Sequence, residues 1–418
     1  MNVNLNPLHG RMPGRLILVG LCLLVLGVPS VLPCGPVLAQ SGATRKTTPL
    51  PPENDKPNRT LPDEQPSAKP GSPSQEAQEG QDPNRPMGTP RRRPPTKAPT
   101  TDDEGNVIVL ATDVVNLEVV VYDKKTGRLF TDLKPANFTI LEDGVKQEIT
   151  NFRAGDSDLT LVMVLEYSRV IGPLVFEVLE PAAQFIERFV RPNDYISIVA
   201  FDLRPKVLTD FTNDPAVLRS NIALLYRNFP AFTESNLFDT LKFVIKGGKL
   251  DGEDYTGLEE VQGRTAILLI ALGIDTFSRI NYDQARKIVE NAGVPVYCIG
   301  IGNLFYKLND PRLSPEANLT FLQAFNTLRT FAESSGGRYF PVTFIGELPT
   351  TLRSIDTLLR NQYNLGYEPT NPRREGKRRK IEVLVDVDGD GKPDNKRLEV
   401  QHRRSYIEPG GNDGKRKK

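Results

Sequence analysis

Tryptophan is absent from this chain, and cysteine and histidine are nearly so, at three and two residues in 418. Cys22 and Cys34 fall in an N-terminal segment with the marks of a removable leader. Cys298 is then alone in the remainder, and no intramolecular disulfide framework can form. His9 lies in the same leader, so chemistry that needs two histidines in one mature chain is excluded. Neither sign of charge dominates, with 53 Lys+Arg against 52 Asp+Glu, and no imbalance advertises nucleic acid or a membrane as partner. The basic clusters lack the interleaved aromatics of a nucleic-acid surface. Also missing are G-x-S-x-G, G-x-x-x-x-G-K-[ST] and H-E-x-x-H, which argues against an enzyme.

What is present begins with export. Arg11 and Arg15 precede an apolar run from Leu16 to Leu32, and Val37-Leu38-Ala39 offers a small-residue cleavage site before Gln40. Residues 1–39 read as a signal peptide, which places the mature chain in the periplasm, cell envelope or extracellular space with no membrane span after cleavage. A retained anchor is the alternative, although Gly20, Gly27, Pro29 and Pro33 interrupt the run. Lipidation at Cys34 is a further alternative, with Pro33 the wrong residue before it. Residues 40–105 hold no aromatic residue and recur in proline. Such a stretch cannot bury enough apolar surface to offset ordering entropy, and is expected to be a disordered tether with a reach of about 45 Å. Within it, Arg91-Arg92-Arg93-Pro94-Pro95 reads as a solvated charge run or as a docking motif for an acidic surface.

Order is expected from residue 106. Val107–Leu110 and Val114–Tyr122 are β-branched runs, Phe138–Leu141 is a third strand, Glu142-Asp143-Gly144 signals a hairpin, and Gln147–Phe152 is expected to pair back. Residues 106–157 thus form a β-rich segment. From residue 158 to 361 strands alternate with helical patterns, which predicts a doubly wound, mainly parallel α/β sheet. The expected strands are Leu159–Leu165, Ile196–Phe201, Thr265–Ala271, Pro295–Ile301 and Arg338–Phe340, with Lys206–Asp210 as an antiparallel edge. Helices are expected over 175–190, where Pro181 should kink or split the helix, and over 216–226, 237–245, 282–291, 318–334 and 348–360. Strands in 362–408 should pack with 106–157 into one β sandwich built from both chain ends, and 409–418 is a disordered basic tail.

In a doubly wound sheet, ligands sit beyond the carboxyl ends of the strands where strand order reverses. Those ends carry Glu166-Tyr167-Ser168-Arg169-Val170, Ser235-Asn236-Leu237-Phe238-Asp239 and Ala271-Leu272-Gly273-Ile274-Asp275-Thr276. At these residues, and over about 114–406, the chain resembles a von Willebrand factor type A domain, most of all the bacterial exported "VWFA-related" proteins. The resemblance implies a metal-ion-dependent adhesion site, Asp-x-Ser-x-Ser with a Thr and a further Asp, holding Mg²⁺ for a partner's carboxylate. Here Glu166 stands for the first Asp, Ser168 is kept, Val170 replaces the second Ser, Ser235 takes the Thr place and Leu272 replaces the last Asp. Two of the five oxygen ligands are lost, so Mg²⁺, which demands hard oxygen ligands in octahedral array, is not expected. Asp275 could supply a ligand, or cap a helix near Thr276–Ser278.

A second oxygen-rich run is Asp386-Val387-Asp388-Gly389-Asp390-Gly391-Lys392-Pro393-Asp394. Its D-x-D-x-D-G spacing suits Ca²⁺, with Asp386, Asp388, Asp390 and Asp394 as candidate ligands, although Arg397 occupies the place of the bidentate Glu. A plain polar hairpin loop between flanking strands is the other reading. The expectation is an exported, non-catalytic, adhesion-type module that binds another protein or an envelope component through Glu166, Ser168, Arg169, Ser235 and Asp275. The alternative is a purely structural envelope protein on a disused scaffold.

Overall fold

A computed structural model describes residues 114–408 apart from Asp156, Pro173, Asp310, Pro311 and Arg374, together with the short strands Thr100–Thr101 and Val107–Ile108. The leader, Cys34, the Arg91–Pro95 run and the basic tail lie outside the described residues. Thr100–Thr101, within the expected tether, pairs antiparallel with Val107–Ile108.

The six-stranded sheet runs in the order Tyr339–Pro341, Val296–Gly300, Arg264–Ala271, Leu159–Glu166, Tyr195–Phe201, Pro205–Thr212. Only Pro205–Thr212 is antiparallel, at the expected edge. Every residue of Leu159–Glu166 is buried, as a strand covered on both faces must be. Its side chains divide by alternation. Leu161, Met163 and Leu165 pack toward the helices Leu174–Phe189, Pro215–Tyr226 and Leu348–Arg360. Val162 and Val164 pack toward Leu237–Lys246, Tyr282–Asn291 and Pro315–Ser335. Strand order reverses between Leu159–Glu166 and Arg264–Ala271, so Glu166 and Leu272 meet at the switch point.

Three local expectations are corrected. Pro181 lies inside Leu174–Phe189 and does not split it: Val178, Leu179, Ala182, Phe185 and Ile186 bury one face around it, and that packing outweighs the lost bond. A hairpin of Gly247–Leu250 with Glu253–Thr256 and a helix Gly302–Asn309 occupy stretches for which no element was expected. At Gly247, φ is +69° and a Cβ would meet Tyr255 O at 2.4 Å, so only glycine fits there. Finally, Gln147–Phe152 is not one strand. Val145–Gln147 pairs with Phe138–Glu142, while Ile149–Ala154 crosses to the other sheet and pairs with Tyr363–Tyr367.

The sandwich is drawn from both ends of the chain, as expected. One sheet is ordered Leu398–Gln401, Val115–Asp123, Tyr363–Tyr367, Ile149–Ala154; the other is Ser405–Ile407, Arg378–Val385, Phe138–Glu142, Val145–Gln147. Leu117, Val119, Ile140, Leu365, Val383 and Val385 fill the space between them. A buried polar knot ties the sheets: Glu142 accepts from Arg379 Nη1 at 2.7 Å, Tyr367 Oη at 2.7 Å and Tyr406 Oη at 2.9 Å. Val120 joins the α/β core from the sandwich, and at the joint Arg360 donates to both carboxylate oxygens of buried Asp194, at 3.1 and 2.5 Å.

Candidate functional site

Glu166 ends the first α/β strand, and its longer side chain folds inward. Its Oε1 accepts from Ser168 Oγ at 2.9 Å, and its Oε2 accepts from the Leu272 N–H at 2.8 Å. Burial is the dominant influence on this carboxyl and pushes its pKa up to about 7. The Leu272 N–H and the Ser168 and Ser235 hydroxyls oppose the rise, and the charge of Asp275 adds to it. Ser235 Oγ is buried near the carboxyl without a hydrogen bond in good geometry, so its influence there is the weaker of the two hydroxyls.

The Ser235 backbone is held by Thr276: Thr276 Oγ1 accepts from the Ser235 N–H at 2.8 Å, and the Thr276 N–H donates to Ser235 O at 2.8 Å. Glu166, Ser168, Ser235 and Leu272 are therefore brought together, as the resemblance implied, but inside the molecule. Exposure falls instead to Arg169 and Val170 on the first loop and to Phe232 and Phe277, which are 46% and 53% exposed. The Arg169 N–H donates to Phe232 O at 2.7 Å and the Phe277 N–H to Ser235 O at 3.1 Å, so the loops that carry these residues are joined through their backbones. Sequence reasoning had not placed Phe277; an apolar residue in a Thr-Phe-Ser loop at a strand's carboxyl end was the available signal.

Asp275 does cap a helix, though a different one from the helix that follows it. Its Oδ1 accepts from the Phe238 N–H at 3.1 Å, and Ser278 Oγ receives the Phe238 and Asp239 N–H groups at 3.0 Å each. The N-cap residue Asn236 makes no side-chain cap of its own; the loop after another strand serves Leu237–Lys246. Burial raises the Asp275 pKa. Beside this cap lies a cavity of about 440 Å³ lined by Phe238, Ile274, Asp275, Tyr282, Gln323 and Thr327, among others. Cys298 is fully buried and its thiol pKa is pushed up by that burial, which leaves it an inert core residue.

In the acidic loop, oxygens of Asp386, Asp388 and Asp394 lie within 4.8 Å of one another. Asp390 is not in that group; its carboxylate accepts from the Lys392 N–H at 2.8 Å. Asp386 is oriented by the Gly389 and Gly391 N–H groups at 2.7 and 2.8 Å. Asp394 binds Arg397 Nε at 2.9 Å, which heads the causes that lower its pKa. The hairpin expectation is corrected here. Arg378–Val385 and Leu398–Gln401 belong to different sheets, so the loop bridges the two layers of the sandwich.

No family model and no curated protein matches the chain. Among solved structures, it is similar to the vWF domain of the type V pili tip protein Mfa5 from Porphyromonas gingivalis, at 13% identity and TM-score 0.35, over 48% of this chain and 95% of that one. Proximal thread matrix protein 1 from the mussel byssus overlaps 60% of this chain and 50% of its own at 11% identity and TM-score 0.36. BatB, a conserved hypothetical protein from Bacteroides thetaiotaomicron, overlaps 48% and 98% at 19% identity and TM-score 0.33. The strand order, the single antiparallel edge and the two helix-covered faces make this a doubly wound, mainly parallel α/β sheet with a flanking β sandwich.

Proposed function

We propose that this is an exported, non-catalytic interaction module of adhesion type that engages another protein or a cell-envelope component through its loop face without a metal ion. The observation that carries the metal-free reading is the state of Glu166: both carboxyl oxygens already accept hydrogen bonds from the protein. The side chains of Val170 and Leu272 bring no lone pairs to the same place. Export is supported by the leader pattern of residues 1–39, and among the described residues no helix is long and apolar enough to cross a membrane.

Aromatic and arginine side chains dominate binding energy in protein interfaces, so Arg169, Phe232 and Phe277 are assigned the contact surface, with Asp275 holding the loop behind them. Glu166, Ser168 and Ser235 support that surface from inside. In the same reading, the Asp386–Asp394 loop takes Ca²⁺ as a structural ion that ties the two sheets, through Asp386, Asp388 and Asp394.

The burial of the adhesion-site positions also favours a second reading, a structural envelope protein on a disused scaffold. Capture of envelope protein by the immobilised chain separates the two. The binding reading expects capture that survives chelator and is lost in the double variant Arg169→Glu/Phe232→Ala; capture indifferent to both substitutions leaves the structural reading.

A further inference from the structure

On the flank of the helices Leu174–Phe189 and Pro215–Tyr226 lies an aromatic shelf that the loop face does not use. Phe176 stacks on Tyr226 at 6.0 Å between centroids and lies tilted against Phe229 at 6.3 Å. Tyr226 is 39% and Phe229 55% exposed. Beside them stand the exposed carboxylates Glu177 and Glu180, neither in an ion pair with a described residue. Tyr226 Oη donates to Glu180 Oε2 at 3.4 Å, and burial followed by these acidic neighbours pushes the phenol up to about 12. Arg227 is the one cation between the two exposed rings in sequence. Rings with adjacent acids suit a cationic polyproline-II segment: prolines seat on ring faces and arginines meet the carboxylates.

The chain carries such a segment outside the described residues. Residues 83–99 hold six prolines and five cations, with no Asp or Glu. We infer that Pro83–Pro95 docks on the Phe176–Tyr226–Phe229 shelf of its own chain, with Arg91, Arg92 and Arg93 facing Glu177 and Glu180. The tether is long enough. With Thr100–Thr101 paired to Val107–Ile108, residues 96–99 and 109–114 still span about 33 Å extended, against about 26 Å for an eight-residue strand. Attachment keeps the effective concentration near millimolar, so a weak contact is populated without a second molecule.

The absence of tryptophan supplies the test. In the full chain, Phe229→Trp places a sole indole on the shelf, and acrylamide quenching reads its accessibility. Adding Arg91→Glu, Arg92→Glu and Arg93→Glu should raise the quenching constant about twofold or more as the tethered contact is lost. Adding Glu177→Arg and Glu180→Arg to that variant should restore protection, as should a synthetic peptide of residues 83–99 added to the Glu variant. Quenching unchanged by the arginine reversal overturns the inference. Protection that vanishes on dilution overturns it too, and assigns the contact to a second copy of the chain. The melting temperature of each variant, expected unchanged because every altered side chain is exposed or outside the core, separates undocking from unfolding.

Discussion

A carboxylate one methylene longer than aspartate can reach back to its own loop, and at position 166 it does. With Ser168 and the Leu272 N–H as partners, both oxygens of Glu166 accept hydrogen bonds from the protein. Its folded pKa near 7 stands above the ordinary 4.5. The stability this group contributes is therefore fully present below about pH 4.5 and is lost as pH rises through 7, by about 3 kcal/mol for the whole shift. Glu166→Gln cannot ionise, so its urea midpoint should climb relative to the parent between pH 5 and pH 8. A pH-independent difference would mean the buried carboxyl ionises without cost. His402 acts in the opposite sense: burial depresses its pKa to about 4, so its contribution is present above about pH 6.5 and lost as pH falls through 4.

At the scale of elements, the switch-point loops are tied to one another by hydrogen bonds. Leu237–Lys246 has a poor cap in its own sequence and takes Asp275 and Ser278 from the loop after Arg264–Ala271. Asp275→Ala should cost about 1 kcal/mol and raise amide exchange chiefly at Phe238 and Asp239; Asp275→Asn should cost much less. Exchange spread over the whole molecule would deny the local role. In the Asp386–Asp394 loop, Asp388→Ala should abolish any Ca²⁺-dependent rise in melting temperature, whereas Asp390→Ala, outside the cluster, should spare it.

These elements also mark where sequence was legible. Period-two and period-3.6 patterns placed the parallel strands and six helices, because both faces of the sheet are apolar. The family resemblance also placed Glu166, Ser168 and Ser235 together. It could not reveal that they turn inward, which depends on Leu272 presenting an N–H from a distant strand, nor that Pro181 is outweighed by packing. The split at Glu148 was hidden because Gln147–Phe152 reads as one alternating run, and only the pairing of each half with a different sheet separates them.

As a whole molecule, the chain is closed by strands from its two ends. Tyr363–Tyr367 lies between Val115–Asp123 and Ile149–Ala154, so the sandwich cannot form until the α/β segment has brought residue 363 back. Val120 is shared with the α/β core, and Arg360 pairs with Asp194 at the joint. Residues 114–408 should accordingly melt in one calorimetric transition. Arg360→Ala, which strands a buried carboxylate, should lower stability by about 3–5 kcal/mol while keeping one transition. Two separate endotherms in the parent chain would contradict the shared core.

The central claim, a loop face organised without a metal ion, is tested most directly by the melting temperature in chelator and in excess Mg²⁺, for the parent and for Ser168→Ala. The account predicts no Mg²⁺-dependent shift in either. A shift in the parent equivalent to about 2.7 kcal/mol at 100 times the dissociation constant, abolished by Ser168→Ala, would contradict it and return the site to metal-dependent adhesion.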